Sequence, residues 1–121
     1  LWNSLGVHYE VVNICTGDMG TVASKKYDLE AWIPGADQYK EIVSCSNCTD
    51  YQANRLSIRY GQPGHPNQPI VHTLNSTAVA TSRALVAIME QYQLDDGRVA
   101  VPKVLQPYMG GQTVLEPCNW G

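Results

Sequence analysis

No stretch of this sequence approaches the roughly 18–20 consecutive apolar residues that a membrane-crossing helix needs, although several short apolar runs occur. Basic charge is also scarce. Eight Lys and Arg stand against 11 Asp and Glu, a formal net charge of −3, so the totals announce no nucleic-acid-binding surface. Any RNA contact would need a basic patch from another part of a larger protein. No internal repeat appears, and nothing at the start resembles a targeting peptide. Leu1–Leu5, closed by Gly6, reads instead as the end of a helix. Because the sequence opens on Leu1 rather than Met, it reads as a fragment.

Cysteine is present but sparse. Cys15, Cys45, Cys48 and Cys118 include a single Cys-x-x-Cys, Cys45-Ser-Asn-Cys48, with no second pair to complete a metal knuckle. Asn47-Cys-Thr49 and Asn75-Ser-Thr77 match the glycosylation pattern, yet both sit inside apolar segments. Free buried thiols behave as small hydrophobes. A secreted, disulfide-framework protein is therefore the weaker reading.

At 121 residues the chain has the size of one domain with room for a core. Its periodicities alternate between strand and helix. Residues 9–15 (YEVVNIC) predict a strand, broken by the glycines of residues 15–20; residues 21–26 predict one short helical turn. Residues 27–33 alternate, with Tyr27, Leu29, Ala31 and Ile33 on one face and Asp28, Glu30 and Trp32 on the other. Residues 34–37 are turn chemistry and 39–45 the returning strand of an antiparallel hairpin. A helix over 51–60, capped by Asn47 or Thr49, leads to a Gly/Pro-rich loop at 61–69. Residues 70–74 predict a short strand running into the helix-capping cluster Asn75, Ser76 and Thr77. A long helix over 78–93, a strand over 98–101 and an irregular tail complete an α+β unit.

Two places break ordinary core logic. The segment 78–89 is apolar nearly all round, which predicts a buried helix, yet Arg83 stands in its middle. Either Arg83 pairs with an acid in the core, or it faces a cleft and holds an anionic or planar ligand. Glu41 interrupts a strand whose same-face neighbours are Tyr39, Val43 and Cys45. It is either an edge-strand acid in water or a carboxylate held for a cation, with Ser44 and Asn47 nearby as hard oxygen ligands suited to Mg²⁺.

These residues fall in two stretches, Glu41-Ile-Val-Ser-Cys-Ser-Asn-Cys-Thr-Asp-Tyr-Gln52 and His72-Thr-Leu-Asn-Ser-Thr-Ala-Val-Ala-Thr-Ser-Arg83. Both closely resemble signature stretches in the C-terminal part of seryl-tRNA synthetases, the second containing class II motif 3. Ile14–Gly20, Lys26–Trp32, Ala87–Gln93 and Val101–Leu105 resemble the same family, so the likeness covers essentially the whole chain, 1–121. The wording at Asn75-Ser-Thr-Ala78 is similar to archaeal and eukaryotic members more than to bacterial ones.

The resemblance implies a division of labour. Glu41 would coordinate Mg²⁺ between the phosphates of ATP with Ser44 assisting, and Arg83 would stack on adenine. Asn75 and Thr77 would lie near the serine substrate, Thr77 bonding its hydroxyl. It also implies a cytoplasmic homodimer in the full-length enzyme, with tRNA(Ser) as the second substrate, bound through parts not present here. Rejection of alanine fits such a polar pocket, since the wrong substrate leaves buried groups unpaired.

Three features fit less well. Strict alternation puts Glu41 and Ser44 on opposite faces, so joint metal binding needs a bulge or a turn at the strand end. Asn54 stands where the family usually carries arginine. The motif 1 and motif 2 stretches, an upstream Thr-x-Glu serine clamp and a coiled-coil arm are not found in these 121 residues. A non-catalytic paralogue or binding module is the alternative; retention of Glu41, Asn75, Thr77 and Arg83 weighs against it.

Overall fold

A computed structural model describes residues 1–118; residues 119–121, the end of the expected 1–121 domain, lie outside it. The chain is α+β. Helices α1 (Trp2–Leu5), α2 (Tyr51–Leu56) and α3 (Thr81–Gln91) accompany strands β1 (Tyr9–Asn13), β2 (Lys25–Ile33), β3 (Gln38–Thr49), β4 (Thr73–Ser76), β5 (Val99–Ala100) and β6 (Val114–Leu115). The first four strands form one sheet in the order β1-β2-β3-β4; β5 and β6 pair separately and antiparallel. The chain divides into two compact units, one of residues 1–10, 30–42 and 79 onward, the other of residues 11–29 and 43–78.

In the first unit, Trp2, Leu5, Val7, Ala31, Ile33, Ile42, Ala84, Ala87, Val99 and Val101 are buried. The expected hairpin turn is a 3-10 turn at Pro34–Ala36, closed by Asp37 in the left-handed region. Helix α3 begins at Thr81, later than expected, and Ala80 caps it without a side-chain bond. The capping role expected of Asn75, Ser76 and Thr77 is therefore not filled. Nor is the helix buried all round. Only Ala84 and Ala87 are buried, while Leu85, Val86 and Met89 are 58%, 50% and 46% exposed. Two small alanines let the helix approach closely along one narrow stripe, and the described residues leave much of the rest of its apolar surface uncovered.

The C-terminal turn of α3 is held by polar side chains. Glu90 Oε2 accepts the Gly35 N–H at 2.8 Å. Gln91 accepts the His8 N–H at 2.6 Å and donates to the carbonyls of His8 (3.0 Å) and Trp32 (2.7 Å). Tyr92 donates its hydroxyl proton to the Leu5 carbonyl at 2.6 Å. Gly6, the expected end of α1, has φ of +71°, and a β-carbon there would overlap the Tyr92 hydroxyl. Glycine is favoured at Gly6 on both counts.

In the second unit the expected helical turn at 21–26 is absent; residues 21–24 are turn and bend, and β2 starts at Lys25. Strand β3 continues past Cys45 to Thr49, and α2 stops at Leu56, short of 60, because Ser57 turns left-handed (φ 55°). Strand β4 starts three residues late and takes in Asn75 and Ser76. Asp28, expected on the strand face shared with Glu30 and Trp32, is 3% exposed and paired with Lys26 at 3.4 Å.

Two measurements test this account. Gln91→Ala removes the bridge and should cost about 1–3 kcal/mol in urea unfolding. Gln91→Glu should cost more, because a carboxylate would then face two carbonyl oxygens. Near β5, Asp96 accepts the backbone N–H of Arg98 (3.1 Å) and its guanidinium (2.8 Å). The backbone bond first, then the guanidinium, hold its carboxyl below the ordinary value of 3.8. Its stabilising effect should be complete above about pH 4 and fade as pH falls through the lowered pKa. A carboxyl carbon titration should show this, and Arg98→Gln should raise the midpoint.

Candidate functional site

Arg83 lies in the first turn of α3 and meets Glu41 in β3. Its Nη1 donates to Glu41 Oε1 at 2.8 Å and to the Glu41 carbonyl at 3.2 Å. Both alternatives read from the sequence hold in part: Arg83 has an acidic partner, and it also borders a cleft. The buried setting expected for it does not hold, since the Arg83 and Glu41 side chains are 53% and 39% exposed. A pair so open to water is worth about 0–1 kcal/mol. Little stability is lost if either partner turns to a ligand.

Glu41 and Arg83 line a cavity of about 490 Å³ together with Ile33, Lys40, Ile42, Ser82 and Val86. That is within the size range of small-molecule sites, and apolar walls with a few converging polar groups are their usual make-up. Lys40 and Ser82 were not singled out in the sequence. Ser82 is the immediate neighbour of Arg83, but Lys40 carries no local signal.

The other expected site residues belong to the second unit. Ser44 is half-buried in β3, and Asn75 and Thr77 are exposed, in and just after β4. The antiparallel register sets Cys45 opposite Ser76, Ser46 opposite Asn75 and Asn47 opposite Leu74. The β3–β4 ladder does carry an irregularity, but between Asn47 and Thr49, C-terminal to both Glu41 and Ser44. Cys45, Asn75 and Ser76 line a cavity of about 340 Å³ with Lys25, Tyr27, Ser46, Asn47 and Leu74. Cys45 Sγ lies 2.9 Å from Ser76 Oγ. Asn54, in place of the family's arginine, donates its amide to Asp50 at 2.8 Å, tying the residue that caps α2. The next residue, Arg55, stacks on Tyr51 with 4.2 Å to the ring centroid. Among the described residues no three His, Cys, Asp or Glu side chains cluster to hold a metal, so no all-protein cage is present.

Comparison with known proteins identifies the family. Residues 1–92 match the family model "tRNA synthetase class II core domain (G, H, P, S and T)". The chain belongs to the class II tRNA synthetase core family. It is 60% identical over 110 residues to the serine–tRNA ligase of Archaeoglobus fulgidus, covering 90% of this chain and 24% of that protein. It is 60% identical over 117 residues to that of Methanocorpusculum labreanum, covering 95% and 27%. The crystal structure of seryl-tRNA synthetase from Pyrococcus horikoshii complexed with ATP superposes with a TM-score of 0.91 at 54% identity, over 98% of this chain and 26% of that one. The cytoplasmic serine–tRNA ligase of Naegleria fowleri in complex with AMP gives 0.89 at 52% identity, over 98% and 28%. This synthetase-core chain thus spans about a quarter of the length of the relatives it matches. No helix among its described residues is long and apolar enough to cross a membrane.

All four cysteines of the synthetase core are free thiols: Cys15 and Cys118 exposed, Cys45 half-buried, Cys48 buried. A thiol reagent should consequently modify Cys15 and Cys118 first, Cys45 more slowly and Cys48 only on unfolding. Denatured protein should titrate four thiols without reductant; a smaller count would revive the disulfide framework.

Proposed function

We propose that this chain supplies part of the active site of a serine–tRNA ligase. That enzyme would activate serine with ATP and transfer the seryl group to tRNA(Ser). The supporting observation is the Glu41–Arg83 pair at a cavity walled by Ile33, Ile42 and Val86. Apolar walls and a planar guanidinium suit the flat faces of adenine, and the same guanidinium favours a polyphosphate. The serine carboxylate attacks the α-phosphorus of ATP, the bond to pyrophosphate breaks, and seryl-adenylate results. The reaction needs positioning and charge stabilisation rather than a protein nucleophile. Asn75 and Thr77 are assigned to serine, Thr77 to its hydroxyl.

The residues also fit Mg²⁺. Magnesium is usually held by one or two carboxylates and substrate phosphates rather than by a protein cage, and half-exposed Glu41 offers such a carboxylate to the cavity. Glu41 is assigned to the ion, with Ser44 assisting; when bound it would offset the charge developing on the phosphates. The full-length enzyme is read as a cytoplasmic homodimer whose tRNA contacts lie mainly outside this chain.

The test is Arg83→Lys in the full-length protein, assayed by ATP–pyrophosphate exchange with each substrate varied in turn. Lysine keeps the charge but loses the planar fork. The expected loss in kcat/KM for ATP corresponds to about 1–3 kcal/mol, with serine dependence far less affected. An unchanged ATP dependence would reduce Arg83 to a structural partner of Glu41. Absence of exchange in the unmodified full-length protein would favour a non-catalytic paralogue.

A further inference from the structure

Strand β4 carries Asn75, yet the features that would ordinarily fix such a strand are weak. It has four residues, and its ladder with β3 is irregular where it begins, between Asn47 and Thr49. Among the described residues the Asn75 side chain has no hydrogen-bond partner. The backbone of β4 therefore fixes the position from which it extends.

The irregularity is itself tightly built. Cys48, which has no partner in the β3–β4 register, is 1% exposed, and Thr49 takes a left-handed conformation with φ of 45°. Asn47 Oδ1 accepts the Thr49 N–H at 3.0 Å, while the Asn47 carbonyl accepts both the N–H (2.8 Å) and the hydroxyl (3.0 Å) of Ser24. The chain leaves this bulge through Asp50 directly into α2. In the first turn of α2, Gln52 Oε1 accepts the hydroxyl proton of Thr73 at 2.7 Å, in a partly buried setting. Thr73 is the first residue of β4, opposite Thr49. Bulge, helix, Gln52 and Thr73 thus close a ring that anchors the start of β4, two residues before Asn75.

We infer that Gln52 is a positioning residue for the amino-acid substrate, acting through Thr73 to fix the backbone that presents Asn75. This rests on the assignment of Asn75 to serine given above. The bond is local to β4, so its loss should be felt in serine binding before it is felt in ATP binding.

The experiment compares Gln52→Ala, Thr73→Val, their double variant, Thr73→Ser and Asn75→Ala in the full-length protein, by ATP–pyrophosphate exchange and thermal melting. Gln52→Ala and Thr73→Val should each raise the serine KM about three- to ten-fold, the scale of one partly buried hydrogen bond, with the ATP KM within about two-fold. The double variant should be no worse than either single change, because both delete one interaction. Thr73→Ser keeps the hydroxyl and should retain the parent serine KM. Thr73→Val is nearly isosteric, so it carries the test if Gln52→Ala fails to fold. If Asn75→Ala raises the serine KM while Gln52→Ala and Thr73→Val do not, the inference is overturned and the serine assignment stands. Equal losses for both substrates would overturn it in favour of a purely structural role. An unchanged serine KM in Asn75→Ala would remove the assignment itself, and this inference with it.

Discussion

Helix α3 carries Arg83 at one end, yet it buries only Ala84 and Ala87 against its unit. Alanine offers little area and no shape that would fix how a helix is rotated about its own axis. The burial of a methyl group is worth under about 1 kcal/mol and has no direction. The amide of Gln91 does have one. By serving the N–H and carbonyl of His8 and the carbonyl of Trp32 together, it can be satisfied in one rotation of α3 only. Glu90 and Tyr92 bond to Gly35 and Leu5 from neighbouring positions on the same turn. Everything proposed for Arg83 depends on that turn.

At the opposite end, the contact between Arg83 and Glu41 has the contrary character. It is short, charged and open to water, hence weak in net terms. The combination suits a site that must be aimed without being locked. Several hydrogen bonds acting together, two of them partly buried, set the helix, and a screened ion pair marks the place where ligands would act. The arrangement in the second unit follows a similar division, with an anchored bulge beside an Asn75 whose side chain is left free among the described residues.

Much of this was legible in the sequence because it depends on local rules. The alternation of residues 27–33, the turn at Pro34, the glycine closing α1 and the prominence of Glu41 and Arg83 all come from period, φ preference and charge in an apolar setting. What was not legible depends on partners distant in the chain. Asn75, Ser76 and Thr77 have the side chains of a helix cap, but pairing with β3 draws Asn75 and Ser76 into a strand, and the helix starts later. Apolar composition around Arg83 suggested burial, because sequence does not reveal how much of a helix its neighbours cover. Nothing local in the sequence singles out Gln91 or Gln52. Their roles appear only when His8, Trp32 and Thr73 are brought beside them.

The two ends of α3 also make the helix a ruler. Each residue advances an α-helix by about 1.5 Å and turns it by about 100°. With Gln91 fixed, a single residue inserted or deleted between Ala84 and Glu90 would swing Arg83 roughly a quarter-turn or more around the axis, away from Glu41. Exchanges of Leu85 or Met89, which do not line the Glu41–Arg83 cavity, leave that phase untouched. For the placing of Arg83, then, the length of the segment matters more than the side chains at those two positions, and what it passes on to Arg83 is chiefly a distance and an angle.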